Sequence, residues 1–141
     1  MRIVLDTNVI ISATLIRGGH EDQILRLWRR GGFDLVLSPQ ILEELGRALF
    51  YEKLQRARWM SRAQVVELLQ LLAQASVLVP GRLKIEVSRD AEDDKFIVAA
   101  AEARAPFLVT GDRDLLALES YRHVRIVRPT EFLGVIRRTR A

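Results

Sequence analysis

Short apolar runs alternate with helical stretches along the chain. The runs are rich in β-branched residues and predict strands at residues 2–5, 34–38, 76–80, 106–110 and 124–127. No internal repeat or low-complexity tract interrupts the alternation. Strands that alternate with helices are typical of a parallel sheet covered by helices. The pattern therefore predicts a single α/β domain over residues 1–141.

Capping signals indicate where the helices begin. Ser38 is followed by a proline, the usual order of an N-cap and a first helical residue. Ser61 with Gln64 has the pattern of a capping box. Apolar periodicity adds a helix that stops at a Gly-Gly pair. We therefore predict helices over residues 20–30, 39–50 and 61–75, and further helices that begin at Asp93 or Asp94, at Asp112 and at a Thr130 cap.

Acidic residues directly follow two of the predicted strands. Asp6 comes after the first strand, and Asp112 and Asp114 come after the fourth. Parallel strands present their carboxyl ends at one edge of a sheet, where ligands bind. Asp94 lies near a helix start, and Glu44 lies in the helix that follows the second strand. We expect the topology to gather these acids at one edge.

Each of these acids also has a purely structural explanation. Asp6, Asp94 and Asp112 are well placed to cap helices. Each such cap stabilises its helix by about 1 kcal/mol. Glu44 can be a solvated helix residue, and Asp114 can be favoured by the helix dipole. Capping does not require acids at several strand ends along one edge. The set as a whole therefore favours a shared acidic site.

Carboxylates that converge need a source of positive charge. Two like charges about 4 Å apart repel by roughly 4 kcal/mol at an effective dielectric of about 20, so protons or cations must neutralise such a cluster. Mg²⁺ prefers carboxylate oxygens, water and substrate phosphates as ligands. The chain has two His and no Cys, which argues against a zinc site and excludes disulfides and Cys nucleophiles.

The rest of the chain is basic. The formal net charge is +4, and 19 of the 22 basic residues are arginines. Arginine matches phosphate geometry, although biased composition or a thermophilic surface explains the excess equally well. An acidic metal centre on a basic surface suits a polyanionic substrate.

Several arginines are candidates for contacts with nucleic acid. Arg17 follows the first helix, and Arg58 and Arg62 flank Trp59. An aromatic ring beside arginines can hold single-stranded nucleic acid by charge and stacking. The alternative is that the arginines are solvated and that Trp59 packs in the core or at a subunit contact.

Four stretches of the sequence carry a family resemblance. They are LDTNV at residues 5–9, SPQILEEL at 38–45, DDKFIVAAAEA at 93–103 and LVTGDRDLL at 108–116. In content and order they resemble the PIN-domain family of nucleases, and the resemblance runs over almost the full length. It implies a three-layer α/β/α fold with a central, mostly parallel sheet. It also implies cleavage of RNA that depends on Mg²⁺ or Mn²⁺.

The resemblance also implies roles for individual residues. By motif, the catalytic acids are Asp6, Glu44, Asp94, Asp112 and Asp114, and all of them except Glu44 match metal ligands. Glu43 and Asp93 are neighbouring candidates, and which of Asp112 and Asp114 contacts the metal stays open. Polar positions that support these acids are Thr7, Asn8 and Thr110.

Many PIN domains of this length are toxins of toxin–antitoxin pairs, so the resemblance implies RNA and a small antitoxin protein as partners. The alternative is an RNA- or partner-binding module with weak or no cleavage. A phosphatase or response-regulator-like domain is less favoured, because Glu44 has no role there.

Pairing and location are further expectations. PIN domains often form homodimers. The helix at 61–75 carries more apolar residues than one buried face needs, namely Leu68, Leu69, Leu71 and Leu72. Plain core packing is the alternative explanation for these leucines. No run approaches the roughly 18 apolar residues of a membrane span, and we see no secretory signal. We therefore expect a cytoplasmic protein that does not contact a membrane.

Overall fold

The computed structural model describes residues 1–50 and 60–140 of the chain. Its strands are β1 (Arg2–Leu5), β2 (Asp34–Leu37), β3 (Val77–Leu78), β4 (Phe107–Val109), β5 (Ser120–Tyr121) and β6 (Val124–Val127). Its α-helices are α1 (Thr7–Leu15), α2 (His20–Arg29), α3 (Pro39–Ala48), α4 (Arg62–Ala75), α5 (Asp94–Ala103), α6 (Arg113–Ala117) and α7 (Pro129–Arg140). A 3₁₀ turn at Ala91–Asp93 precedes α5.

The strands form one sheet in the order β3-β2-β1-β4-β6-β5. Every neighbouring pair is parallel except β5 and β6, which are antiparallel. The five predicted strands are confirmed, and the central strand β1 is buried except at Arg2, as expected of a strand covered on both faces. Strand β5 was not predicted, because this two-residue edge strand contains no apolar run.

Helices cover both faces of the sheet. On one face α2 packs against α7, which also contacts β4, and on the other α5 packs against β1 and β2. Phe132 of α7 contacts Phe33 and Phe107 edge-on, with ring centroids 5.4 and 6.2 Å away. The predicted three-layer α/β/α arrangement around a mostly parallel sheet is confirmed. No helix within the described residues is long and apolar enough to cross a membrane.

Most predicted helix starts are confirmed. Ser38 caps α3, and Ser61 and Gln64 form the reciprocal bonds of a capping box before α4. The predicted Thr130 cap is wrong, because α7 begins one residue earlier, at Pro129. Proline suits the first helical position, where no backbone N–H is needed.

The order of the strands locates a crevice. From β1 the chain first builds β2 and β3 on one side, and then crosses to β4 and β6 on the other. In sheets of this kind, ligands bind at the carboxyl ends of the strands where the order reverses. That point lies between the ends of β1 and β4, directly before Asp6 and Thr110.

Candidate functional site

A small cleft of about 140 Å³ opens at this switch point. Four carboxylates line the cleft: Asp6, Glu44, Asp93 and Asp112. They come from four separate parts of the chain, namely the end of β1, the middle of α3, the 3₁₀ turn before α5 and the start of α6. The structure therefore brings together acids that are far apart in sequence.

Asp6 is fixed by three hydrogen bonds. Its backbone N–H donates to the Val109 carbonyl at 2.9 Å, which ties the end of β1 to β4. One carboxylate oxygen accepts from the backbone N–H of Asn8 at 3.1 Å, which caps α1, and the other accepts from the Thr110 hydroxyl at 2.6 Å. Asp6 thus serves as the helix cap and also lines the cleft, so the two explanations of this residue are compatible.

Thr110 connects the two aspartates that follow β1 and β4. Its fully buried hydroxyl donates to Asp6 and accepts from the backbone N–H of Asp112 at 3.0 Å. One Asp112 oxygen, Oδ1, accepts from the backbone N–H groups of Asp114 and Leu115, which caps α6. Asp112 therefore lines the cleft from a fixed backbone position.

Glu44 is held at both oxygens. The Thr7 hydroxyl donates to Oε2 at 2.6 Å, and the Lys95 ammonium lies 3.0 Å from Oε1. Glu43, the neighbouring candidate, is exposed and pairs with Arg47 at 3.4 Å. Of these two glutamates, only Glu44 lines the cleft.

The third acid of the cleft is Asp93, although the motif pointed first to Asp94. Asp94 is 8% exposed, and its Oδ1 accepts from the backbone N–H groups of Val87 and Ser88, at 3.2 and 2.7 Å. It therefore secures the loop before α5, while Asp93 lines the cleft.

The other predicted residues lie away from the cleft or outside the described residues. Asp114 does not line the cleft, and its carboxylate lies 3.8 Å from the Arg89 guanidinium. Arg17 lines a larger groove of about 960 Å³ between α2 and α4. The Arg62 guanidinium lies over the Phe50 ring, 5.6 Å from its centroid. The predicted contacts Arg58 and Trp59 fall outside the described residues.

Burial and mutual repulsion disfavour negative charge in the cleft. Burial raises the pKa of Asp6 above its ordinary 3.8, and Glu44 and Asp112 raise it further, against the hydrogen bonds from Thr110 and Asn8. Burial together with repulsion from the surrounding acids raises the pKa of Asp93 to about 6. The cleft therefore favours the uptake of positive charge.

The donor set fits a hard divalent cation. It consists of carboxylate oxygens, the ligands that Mg²⁺ and Mn²⁺ prefer. Within residues 1–50 and 60–140, no three His, Asp or Glu side chains form a ready-made ligand group. Like-charge repulsion opposes a closer approach of these carboxylates, so a shared ion would have to draw them inward or bind partly through water.

Sequence reasoning missed Lys95 as a residue of this region. Its side chain is 12% exposed and reaches both Glu44 and Glu92, at 3.0 and 3.2 Å. Burial lowers the pKa of Lys95, but the two carboxylates outweigh burial, so its pKa is raised. The available signal was a basic residue directly after two aspartates at a helix start.

The raised pKa of Asp93 predicts a pH dependence of stability. The folded protein binds the Asp93 proton up to about pH 6, whereas the ordinary pKa is 3.8. Stability from this group is therefore present at low pH and lost as the pH rises through that interval. Asp93→Asn cannot ionise, so it avoids this loss of stability at high pH. In a chelating buffer, the Tm gain of Asp93→Asn over the wild type should therefore be larger at about pH 8 than at about pH 4.

The matched control is Asp34→Asn, which removes an exposed carboxylate at the start of β2. Its effect on Tm should differ little between the two pH values. An effect of Asp93→Asn that is equal at both would contradict a raised pKa.

Comparison with known proteins agrees with the fold. A family model described as PIN domain matches residues 2–114. The chain is also similar to a protein of Methanocaldococcus jannaschii named Uncharacterized protein MJ1680, at 30% identity over 141 residues that cover 94% of this chain and 90% of that protein. PIN domains generally have a nuclease-type fold. The chain belongs to the PIN-domain family.

Proposed function

We propose that the chain is a metal-dependent endoribonuclease that hydrolyses RNA phosphodiester bonds. The observation that carries the proposal is the convergence of Asp6, Glu44, Asp93 and Asp112 on one cleft at the switch point of the sheet. Membership of a family whose members are generally nucleases supports the reaction class. The arginine-rich surface supports a polyanionic substrate.

Asp6, Asp93 and Asp112 would hold Mg²⁺ or Mn²⁺. In this proposal Asp93 takes the place that the motif gave to Asp94, because Asp93 lines the cleft and Asp94 does not. When bound, such an ion makes a coordinated water more acidic and offsets charge on the phosphate. Thr110 and the backbone of Asn8 keep Asp6 oriented toward the cleft.

Glu44 would orient the attacking water, which loses a proton to bulk water as it attacks. Thr7 and Lys95 hold the Glu44 carboxylate in one orientation beside the cleft. The water oxygen bonds to phosphorus and the bond from phosphorus to the 3′ oxygen breaks. The products are a 5′-phosphate and a 3′-hydroxyl, which takes up a proton as it leaves.

Substitutions at neighbouring aspartates test this assignment. With single-stranded RNA and Mn²⁺ or Mg²⁺, Asp6→Asn and Asp93→Asn should each lower kcat/KM by roughly 100-fold or more, because each removes a charged ligand. Asp94→Asn should keep activity to within about tenfold, since its amide oxygen can still accept from Val87 and Ser88. Excess EDTA should abolish cleavage by the wild type.

Asp114→Asn is the control, because Asp114 lies beside the cleft residues in sequence but does not line the cleft. It should retain most activity. Full activity of Asp6→Asn, or cleavage that persists in EDTA, would contradict the proposal. A large loss in Asp94→Asn with little loss in Asp93→Asn would return the third ligand to Asp94.

We also propose that RNA contacts Arg17 and Arg62. Arg17 lines the groove between α2 and α4, and Arg62 is an exposed residue of the first turn of α4. In an Asp6→Asn background that prevents cleavage, Arg17→Ala or Arg62→Ala should lower the slope of log affinity against log salt by about 1.

Arg122→Ala is the matched control for these arginines. Arg122 precedes β6, so it lies at the opposite end of the sheet from the cleft, and its guanidinium stacks on Tyr121. The control should leave the salt slope unchanged. Unchanged slopes for Arg17→Ala and Arg62→Ala would show that neither residue contacts phosphate.

We further propose that the chain is the toxin of a toxin–antitoxin pair. Expression of the wild type alone in a bacterial host should arrest growth, because uncontrolled RNA cleavage stops protein synthesis. Asp6→Asn, expressed to the same level, should not arrest growth, and co-expression of a small protein from a neighbouring reading frame should relieve the arrest. Normal growth with active wild-type enzyme would contradict the toxin role.

A homodimer remains a proposal. Of the leucines predicted to form its interface, Leu68 and Leu72 are buried in the core, and Leu69 is partly buried. Leu71 and Val66 are exposed on α4, at 39% and 40% of their surfaces, and supply the apolar surface for such a contact.

A further inference from the structure

Lys95 contacts one of the cleft carboxylates without lining the cleft. It follows Asp93 and Asp94 in the first turn of α5, and its side chain is 12% exposed. The ammonium lies 3.0 Å from Glu44 Oε1 and 3.2 Å from Glu92 Oε2. Lys95 does not line the cleft itself, but it contacts Glu44, which does.

Both oxygens of Glu44 already have partners. Oε1 pairs with Lys95, and Oε2 accepts from the Thr7 hydroxyl at 2.6 Å. The other cleft carboxylates differ in this respect: within residues 1–50 and 60–140, Asp6, Asp93 and Asp112 form no salt bridge. The charge of Glu44 is therefore compensated from within the protein, while the charges of the three aspartates are not.

We propose that Lys95 is the permanent counter-ion of Glu44 and that it limits the cleft to one divalent cation. The inference rests on the proposed function, because it concerns how the same cleft binds metal. Nucleases with two metal ions hold them about 4 Å apart by shared carboxylates. Here the ammonium takes the charge-compensating place of the second ion, and the three aspartates remain for the first.

The geometry favours a lysine in this role. Its ammonium is a compact charge with three donors, so it can contact Glu44 and Glu92 at once. Glu92 is exposed, lies three residues before Lys95 and does not line the cleft, so it contacts the ammonium without adding a charge to the cleft lining. Lys95 therefore acts through Glu44 as a positioning residue.

Counting bound Mn²⁺ tests the inference without any measurement of cleavage. The purified full chain should bind one Mn²⁺ in equilibrium dialysis or titration calorimetry. Lys95→Met keeps a long apolar side chain but leaves Glu44 without its cation. This variant should bind a second Mn²⁺, or bind Mn²⁺ at least about tenfold more tightly.

Two further variants serve as controls. Lys95→Arg retains the positive charge and should behave as the wild type. Adding Glu44→Gln to Lys95→Met removes the released carboxylate and should restore one ion of wild-type affinity. Circular dichroism and Tm should verify that each variant is folded. Two ions of similar affinity in the wild type, or unchanged binding in Lys95→Met, would overturn the proposal.

Chemical labelling tests the ion pair with no metal present. The chain has three lysines, Lys53, Lys84 and Lys95, so mass spectrometry can follow each amine separately. In a chelating buffer, Lys95 should be acylated more slowly than the exposed Lys84, and Glu44→Gln should raise the Lys95 rate severalfold relative to Lys84. An unchanged ratio would overturn the pairing.

The two measurements separate failure of this inference from failure of the proposed function. A wild type that binds no Mn²⁺ overturns the metal-dependent function and the one-ion limit together, whereas labelling still decides whether Lys95 is the counter-ion of Glu44. Equal Mn²⁺ binding by the wild type and by Lys95→Met leaves the metal site intact and overturns only the role of Lys95.

Discussion

The candidate site depends on two parallel strands that end side by side. The Asp6 backbone N–H bonds to Val109, and the Thr110 hydroxyl bonds to the Asp6 carboxylate at 2.6 Å. Because Thr110 also accepts from the backbone of Asp112, one buried hydroxyl fixes two acids from opposite ends of the chain. The other two cleft acids come from the chain after β2 and before β4: Glu44 lies in α3, and Asp93 lies in the 3₁₀ turn before α5.

The surroundings of the cleft disfavour the negative charge of its carboxylates. Burial and crowding raise the pKa values of Asp6 and Asp93, which means that the folded state is less stable when these carboxyls are ionised. Of the four cleft carboxylates, Glu44 alone has a cation, Lys95, within salt-bridge distance among the described residues. A stability cost concentrated in one small cleft is typical of a functional site, where local structure departs from what packing alone would favour.

The same aspartates cap helices and line the cleft. Asp6 caps α1, Asp112 caps α6, and both line the cleft. The capping explanation of Asp6 and Asp112 is therefore correct and leaves room for a further role, because a carboxylate that accepts from backbone N–H groups at one oxygen retains lone pairs for another partner. Helix N-termini at the switch point also supply a fixed backbone from which such side chains project.

The sequence determined the parallel strands, the capping box at Ser61 and the acids that follow β1 and β4, because these features depend on local periodicity and on residues next to one another. It could not distinguish Asp93 from Asp94, or Asp112 from Asp114. The change from a 3₁₀ turn to an α-helix falls between Asp93 and Asp94, and one helical residue rotates a side chain by about 100°. The contact of Lys95 with Glu44 likewise joins residues of two helices that only the packing of α3 against α5 brings together. Tertiary structure therefore decided which carboxylates face the cleft, because that choice depends on side-chain direction and on distant neighbours.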